Sequence, residues 1–214
     1  MVPLLIFDLD GTLVDSKRDL SSSVNYVREM FGLTPLGEDA ISGYIGDGAQ
    51  MLIRRALGPD AAESDVQSGF QAFLSYYREH MLDESKLYPG VSETLSRLSD
   101  FRLAVLTNKP VRFSRVMLDG LGILQFFAAV YGGNSFEKKK PDPVGVFQIL
   151  QDTDSRIDQT WMIGDSAVDV LTGRNAGAAT CGVTWGYASE SFTRTPPDFL
   201  IHRFEDLESL VRGA

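Results

Sequence analysis

The stretch Val2-Pro3-Leu4-Leu5-Ile6-Phe7-Asp8-Leu9-Asp10-Gly11-Thr12 decides how this chain is read. Val2 to Phe7 is a near-continuous apolar run, the pattern of a strand buried on both faces of a parallel sheet. Side chains alternate along a strand, so Asp8 and Asp10 are expected on one side, where the strand gives way to a glycine turn. Two carboxylates so close repel unless a cation or a shared proton relieves them. Gly11 permits a sharp turn that can aim successive N–H groups at an anion. A carboxylate between a cation site and an anion-binding turn suits phosphoryl transfer through an aspartyl phosphate. Taken alone, Asp-x-Asp before glycine is also an ordinary turn sequence.

Working outward, residues from about Ser16 to Tyr88 read as helices. Leu20, Val24, Val27 and Phe31 form one helical stripe, ended by Gly32 and Pro35. Met51, Leu52, Ala56 and Leu57 mark a second helix, and Val66, Phe70, Phe73, Leu74 and Tyr77 a third. From Val91 the pattern alternates. Helices are predicted over Val91–Leu98, Val111–Leu118, Val144–Leu150, Val168–Asn175 and Glu205–Val211. Strands are predicted over Arg102–Leu106, Ala128–Tyr131, Trp161–Ile163, Thr180–Val183 and Phe199–Ile201. Such alternation predicts an α/β fold, a doubly wound parallel sheet whose sites lie beyond the carboxyl ends of its strands.

Composition narrows the function. The chain has 214 residues, 43% of them hydrophobic, and a net charge of -9, which argues against nucleic acid as a partner. An acidic protein that binds phosphate needs local positive charge from a metal and placed lysines. Cys181 is the single cysteine, expected as a small core residue with no disulfide. The chain enters its first strand without the pattern of a signal peptide, and no run reaches the roughly 18 apolar residues of a membrane span. A cytoplasmic protein, monomer or weak homodimer, is expected. His80 and His202 lie outside any motif and are expected on the surface.

Three more polar clusters follow predicted strands or open predicted helices: Leu106-Thr107-Asn108-Lys109-Pro110, Lys138-Lys139-Lys140-Pro141-Asp142-Pro143, and Ile163-Gly164-Asp165-Ser166 with Asp169. Thr107 can donate its hydroxyl, and Asn108 its backbone N–H, to a phosphoryl oxygen. The same pair can also cap a helix that has Pro110 in its first turn. Lys140 stands apart from Lys138 and Lys139 because Asp142 can cap a helix and Pro143 can occupy its first turn. Asp169, four residues after Asp165, is expected on the same helix face. Aspartates aimed at a site holding Asp8 and Asp10 call for a divalent cation, and Mg²⁺ suits hard oxygen ligands.

Together with the opening stretch, these clusters resemble the haloacid dehalogenase superfamily in its phosphatase branch, along the whole chain. The resemblance implies Asp8 as nucleophile, Asp10 as acid and base, and Thr107, Asn108 and Lys140 as phosphate ligands. It implies Mg²⁺ on Asp8, the Asp10 carbonyl and Asp165, with Asp169 in support. It also implies a catalytic core at residues 1–15 and 89–214 and a small helical cap, inserted after the first strand, at residues 16–88. The second aspartate favours phosphate over carbon–halogen chemistry.

Gly43-Tyr44-Ile45-Gly46-Asp47-Gly48 with Met51-Leu52-Ile53-Arg54-Arg55 resembles the cap of bacterial phosphoglycolate phosphatases, as do Tyr88-Pro89-Gly90-Val91 and Val183-Thr184-Trp185-Gly186-Tyr187. Gly46 and Gly48 otherwise read as a loop that starts a helix. That turn, or one of Arg54 and Arg55 (about 100° apart on a helix), is the expected holder of a substrate carboxylate. The expected substrate is a small phosphorylated metabolite, 2-phosphoglycolate. Alternatives on the same core are a sugar phosphomutase, a pyrophosphatase or a nucleotidase. A signalling receiver domain has similar parts in a different order.

Overall fold

The computed structural model describes residues 2–213, so Met1 and Ala214, the outermost residues of the expected core, lie outside the described residues. Strand β1 (Leu4–Phe7) is followed by a short strand β2 (Val14–Asp15). Four helices come next: α1 (Lys17–Met30), α2 (Glu38–Ser42), α3 (Ala49–Leu57) and α4 (Glu63–His80). The chain then runs through β3 (Lys86–Leu87), α5 (Val91–Arg97), β4 (Arg102–Leu106), α6 (Val111–Gly120), β5 (Ala129–Tyr131) and α7 (Val144–Asp152). It finishes with β6 (Thr160–Gly164), α8 (Ala167–Ala176), β7 (Ala179–Val183), β8 (Phe199–Ile201) and α9 (Asp206–Gly213).

The main sheet has the order β5-β4-β1-β6-β7-β8, with every neighbouring pair parallel. All four side chains of β1 are fully enclosed, because it is a central strand with packing on both faces. Leu5 and Phe7 join Leu103, Val105 and Ile163 in the larger core cluster, on the face that carries α5, α6 and α9. Leu4 and Ile6 join Ala104, Leu106 and Met162 with Val146 and Ile149 of α7 on the other face. Burying each such side chain stabilises the fold by about 1.5–3 kcal/mol. A change such as Ile6→Asp would put an unpaired charge there and disrupt the sheet at its centre.

From β1 the chain builds one side of the sheet (β4, β5) and then returns to build the other (β6, β7, β8). The carboxyl end of β1 is therefore a topological switch point, where a crevice opens.

The helical insertion springs from a stem that the sequence pattern did not reveal. Strands β2 and β3 pair antiparallel, Val14 with Leu87 and Asp15 with Lys86, so the two crossings run side by side. Two-residue strands have no periodicity to read. Helix α2 is likewise too short to announce itself, so the insertion holds four helices where the apolar periodicity predicts three. Asp19 of α1 pins the return crossing by accepting from the N–H groups of Glu84 and Ser85 and from the Ser85 hydroxyl. On α1, Leu20, Val24 and Val27 are buried, while Phe31 packs just beyond its end. Met51, assigned to the apolar stripe of α3, is instead exposed. Among the described residues, no helix is long and apolar enough to cross a membrane.

Candidate active site

Asp8 stands one residue past β1, and its N–H still bonds the Ile163 carbonyl of β6 at 2.9 Å. The segment behind it closes on itself: the N–H groups of Leu13 and Val14 both donate to the Leu9 carbonyl, and that of Gly11 to the Val14 carbonyl. Gly11 has φ +81°, and a Cβ there would overlap the Asp165 carboxylate, so glycine is required twice over. The expectation that this turn aims successive N–H groups at an anion needs correction. Those of Gly11 to Val14 are consumed within the turn, which leaves only the N–H groups of Leu9 and Asp10 outside that internal network.

Carboxylate oxygens of Asp8, Asp165 and Asp169 lie within 4.8 Å of one another. Lys140 reaches into this group from the loop before α7, its Nζ 2.9 Å from Asp8 Oδ1 and 2.6 Å from Asp169 Oδ1. Burial pushes the Asp8 carboxyl up to about 6; Lys140 opposes the rise and Asp169 adds to it. Asp165 is driven well above the carboxylate range by burial, then by Asp169 and Asp8. Burial alone would depress the Lys140 ammonium, but Asp169 and Asp8 outweigh it and hold it charged. One lysine thus serves three enclosed carboxylates.

A divalent cation fits here on the structure's own terms. Asp8 Oδ1 is buried and has no hydrogen bond of acceptable geometry, although Lys140 stands at contact distance. Asp165 accepts from the Tyr187 N–H through Oδ2 at 2.6 Å. Asp169 is already occupied, with Oδ1 taken by Lys140 and Oδ2 by the N–H and hydroxyl of Ser166, in a capping box at the start of α8. Asp8 and Asp165 are therefore the side chains free to hold Mg²⁺, with Asp169 in support. Asp165 precedes the helix, so the two aspartates of this motif do not share a helix face as expected. Bound Mg²⁺ would supply positive charge to a phosphoryl group held against Asp8.

Asp10 faces the same crevice in different company. Its Oδ1 accepts from the Ser16 hydroxyl at 2.5 Å, and Lys109 Nζ lies 3.0 and 3.1 Å from its two oxygens. Lys109 also donates to the Tyr77 hydroxyl of α4 at 2.6 Å. No site role is expected from the sequence for Lys109, Ser16 or Tyr77, the last of which reads only as part of an apolar helical stripe. The available signal was a lysine directly after Thr107-Asn108 at a strand end.

A family model described as haloacid dehalogenase-like hydrolase matches residues 5–183. The chain belongs to the haloacid dehalogenase-like hydrolase family. It is 38% identical over 210 residues to a phosphoglycolate phosphatase of Agrobacterium fabrum, covering 96% of this chain and 90% of that protein. It is 37% identical over 218 residues to one of Chromobacterium violaceum, covering 99% of this chain and 97% of that protein. A crystal structure of a predicted phosphoglycolate phosphatase from Haemophilus somnus superposes with a TM-score of 0.92 at 32% identity, covering 98% of this chain and 97% of that one. As a haloacid dehalogenase-like hydrolase the chain is an enzyme, a Mg²⁺-dependent phosphatase that works through an aspartyl phosphate.

In this haloacid dehalogenase-like hydrolase, Thr107 and Asn108 follow β4 directly, and both are buried. Thr107 Oγ1 accepts from the Lys109 N–H at 3.2 Å, a local turn contact rather than a cap, because Pro110 occupies the N-cap of α6 and no side chain caps it. Pro110 and Pro143 each stand one residue before their helices rather than inside the first turn, and Asp142 accepts from the Val144 N–H.

Gly46 and Gly48 line the pocket, and Gly48, at φ +91°, leads into α3. Arg54 does not line it. It pairs with Glu63 at the surface, and Arg55 pairs with Asp47 and the Tyr44 carbonyl. The pocket takes Ala49 and Leu52 from α3, and Arg54 projects about 200° around the helix from Leu52. The expected carboxylate-binding arginine is thereby corrected. His80 lies at the surface, paired with Asp83 and stacked on Tyr76, as expected.

Proposed function

We propose that the protein hydrolyses 2-phosphoglycolate, with Asp8 as the residue that carries the phosphoryl group. The observation that carries this reading is the enclosed group of Asp8, Asp165 and Asp169 around Lys140, beside Asp10. Asp8 attacks phosphorus in line, the ester P–O bond breaks, and protonated Asp10 gives its proton to the departing alkoxide. Water then attacks the aspartyl phosphate while Asp10 takes the water proton, which releases phosphate and restores Asp8. Lys140 neutralises charge on the phosphoryl oxygens and on Asp8, while the Thr107 hydroxyl and Asn108 N–H orient the group.

The names of the relatives, whose likeness runs the length of the chain, support phosphoglycolate as substrate. So does a pocket with α1, α3 and α4 of the insertion over it, small enough to suit a small ester. The reading includes a cytoplasmic setting, supported by a single, buried cysteine, and a monomer or weak homodimer.

Phosphate release from a panel of esters, with Mg²⁺ and with a chelator, tests it. Phosphoglycolate should exceed glucose phosphates, nucleoside monophosphates and pyrophosphate in kcat/KM, and chelation should abolish turnover. Asp8→Asn should lower turnover by orders of magnitude and leave folding intact. Phosphoglycolate ranking among the poorest esters would remove the substrate assignment; near-normal turnover by Asp8→Asn would remove the covalent mechanism.

A further inference from the structure

With Arg54 and Arg55 turned away, the pocket itself must offer a carboxylate its counter-charge. The insertion contributes walls that are largely apolar, among them Leu20, Leu52 and Phe73, and the basic residues lining the pocket are Lys109 and Lys140. Lys140 is held between Asp8 and Asp169, at the phosphoryl end. Lys109 is at the other end, against the carboxyl group that meets the leaving oxygen.

In phosphoglycolate one methylene separates the ester oxygen from the carboxylate, so the carboxylate oxygens lie within roughly 3–4 Å of the oxygen that Asp10 protonates. A group that receives that carboxylate must therefore adjoin Asp10. Lys109 Nζ does, at 3.0 and 3.1 Å, and its side chain is 5% exposed.

We infer that Lys109, assisted by the Tyr77 hydroxyl, receives the carboxylate of the substrate, an inference that rests on the phosphoglycolate reading. Lys109 Nζ is a buried ammonium that lines the pocket beside Asp10, placed where the carboxylate of a bound ester would meet it as a further counter-ion. Tyr77 accepts from Lys109, and no acceptor for its own O–H exists among the described residues, so that proton is available to the same anion. Burial, with Asp10 and Asp19 nearby, holds the phenol neutral. Tyr77 belongs to α4 and Lys109 to the core, so the receptor is complete only when insertion and core meet. Lys139, whose ammonium approaches Gly48 from an exposed position, is the competing cation.

Two paired measurements test this in the Mg²⁺-loaded protein. The first is kcat/KM for phosphoglycolate against ethyl phosphate, which lacks the carboxylate. The second is calorimetric binding of 3-phosphonopropionate against propylphosphonate. Lys109→Met should lower both preferences for the carboxylate compound roughly tenfold to a hundredfold. Lys109→Arg should retain more of the preference, Tyr77→Phe should lose part of it, and Lys139→Ala should keep it. Equal losses on both members of each pair in Lys109→Met would mean that Lys109 acts only by holding Asp10, and would overturn the inference alone. A wild-type enzyme with no preference for the carboxylate compounds would overturn the phosphoglycolate reading with it. Melting curves check that the variants fold. Should Lys109→Met fail to fold, an unchanged preference in Lys109→Gln together with Tyr77→Phe would overturn the proposal.

Discussion

Asn108 ties the insertion to the core through one side chain: its Nδ2 donates to the Gly46 carbonyl at 2.8 Å and to the Lys140 carbonyl at 3.2 Å, while its Oδ1 accepts from the Lys140 N–H at 3.0 Å. Three segments distant in sequence meet on a single amide. Its backbone carbonyl also lies against Gly48, where a Cβ would stand 3.2 Å from it. The glycines of that turn thus allow the insertion to close onto β4.

Asn108→Ala should therefore loosen closure and the setting of Lys140 together. Losing buried hydrogen bonds of this kind costs about 1–3 kcal/mol. We expect kcat/KM to fall roughly tenfold or more and amide exchange around Gly46 to Ala49 to quicken. Unchanged exchange in that turn would show that the Gly46 contact does not hold the insertion.

Lys140 should behave unlike its neighbours. It is buried and touches two carboxylates, whereas Lys138 reaches only Asp142 at the surface. Lys140→Ala should cost on the order of a hundredfold or more in turnover, since it removes the charge that faces the phosphoryl group. Lys138→Ala and Lys139→Ala should change turnover little. Comparable losses from all three would reduce the run to a diffuse basic patch.

Arg54→Ala and Arg55→Ala should leave the preference for phosphoglycolate over ethyl phosphate close to that of the wild type. Arg54 spends its charge on Glu63 in a surface pair, worth about 0–1 kcal/mol to stability. A loss of the carboxylate preference in either variant would restore the arginine to the site and count against Lys109.

Chelated protein should show an inverse dependence of stability on pH in the acid range. The Asp8 carboxyl rises from 3.8 to about 6 on folding. Between those values the folded state binds more protons than the unfolded, so unfolding free energy falls as pH rises through the window. Below the window both states are protonated and the penalty is absent; above it the penalty is complete. Mg²⁺ at a hundredfold excess over its Kd should add about 2.7 kcal/mol near neutral pH and less near pH 5, where its ligands are partly protonated. Calorimetric melting with chelator and with Mg²⁺ at the two pH values measures this. Equal Mg²⁺ shifts at both would place the metal elsewhere.

Local chemistry made much of the molecule legible in advance. The apolar run before Asp8 specified a buried central strand because only a parallel sheet covered on both faces hides every residue of such a run. The alternation after Val91 set the doubly wound order for the same reason. Polar clusters after strands or before α7 brought Asp8, Asp10, Thr107, Asn108, Lys140 and Asp165 to one crevice, with Asp169 beside it, while the roles expected of them came from the family resemblance. Cys181 read as core, and its thiol, pushed by burial up to about 12, lies within β7.

What the sequence by itself determined was thus the kind of fold and the acidic side chains at its crevice, because both arise from patterns a few residues long. Tertiary structure alone decided their company. Ser16 follows β2 and Lys109 follows β4, both reaching Asp10, and Tyr77 of α4 joins them through Lys109. The stem of β2 and β3 exists because two remote dipeptides pair. Arg54 and Arg55 had equal claims on a helical wheel, and packing of α3 through Leu52, Ile53 and Ala56 turned Arg54 away, while Asp47 and the Tyr44 carbonyl captured Arg55. A helix records its own periodicity, but which arc faces the ligand is set by the surfaces it packs against.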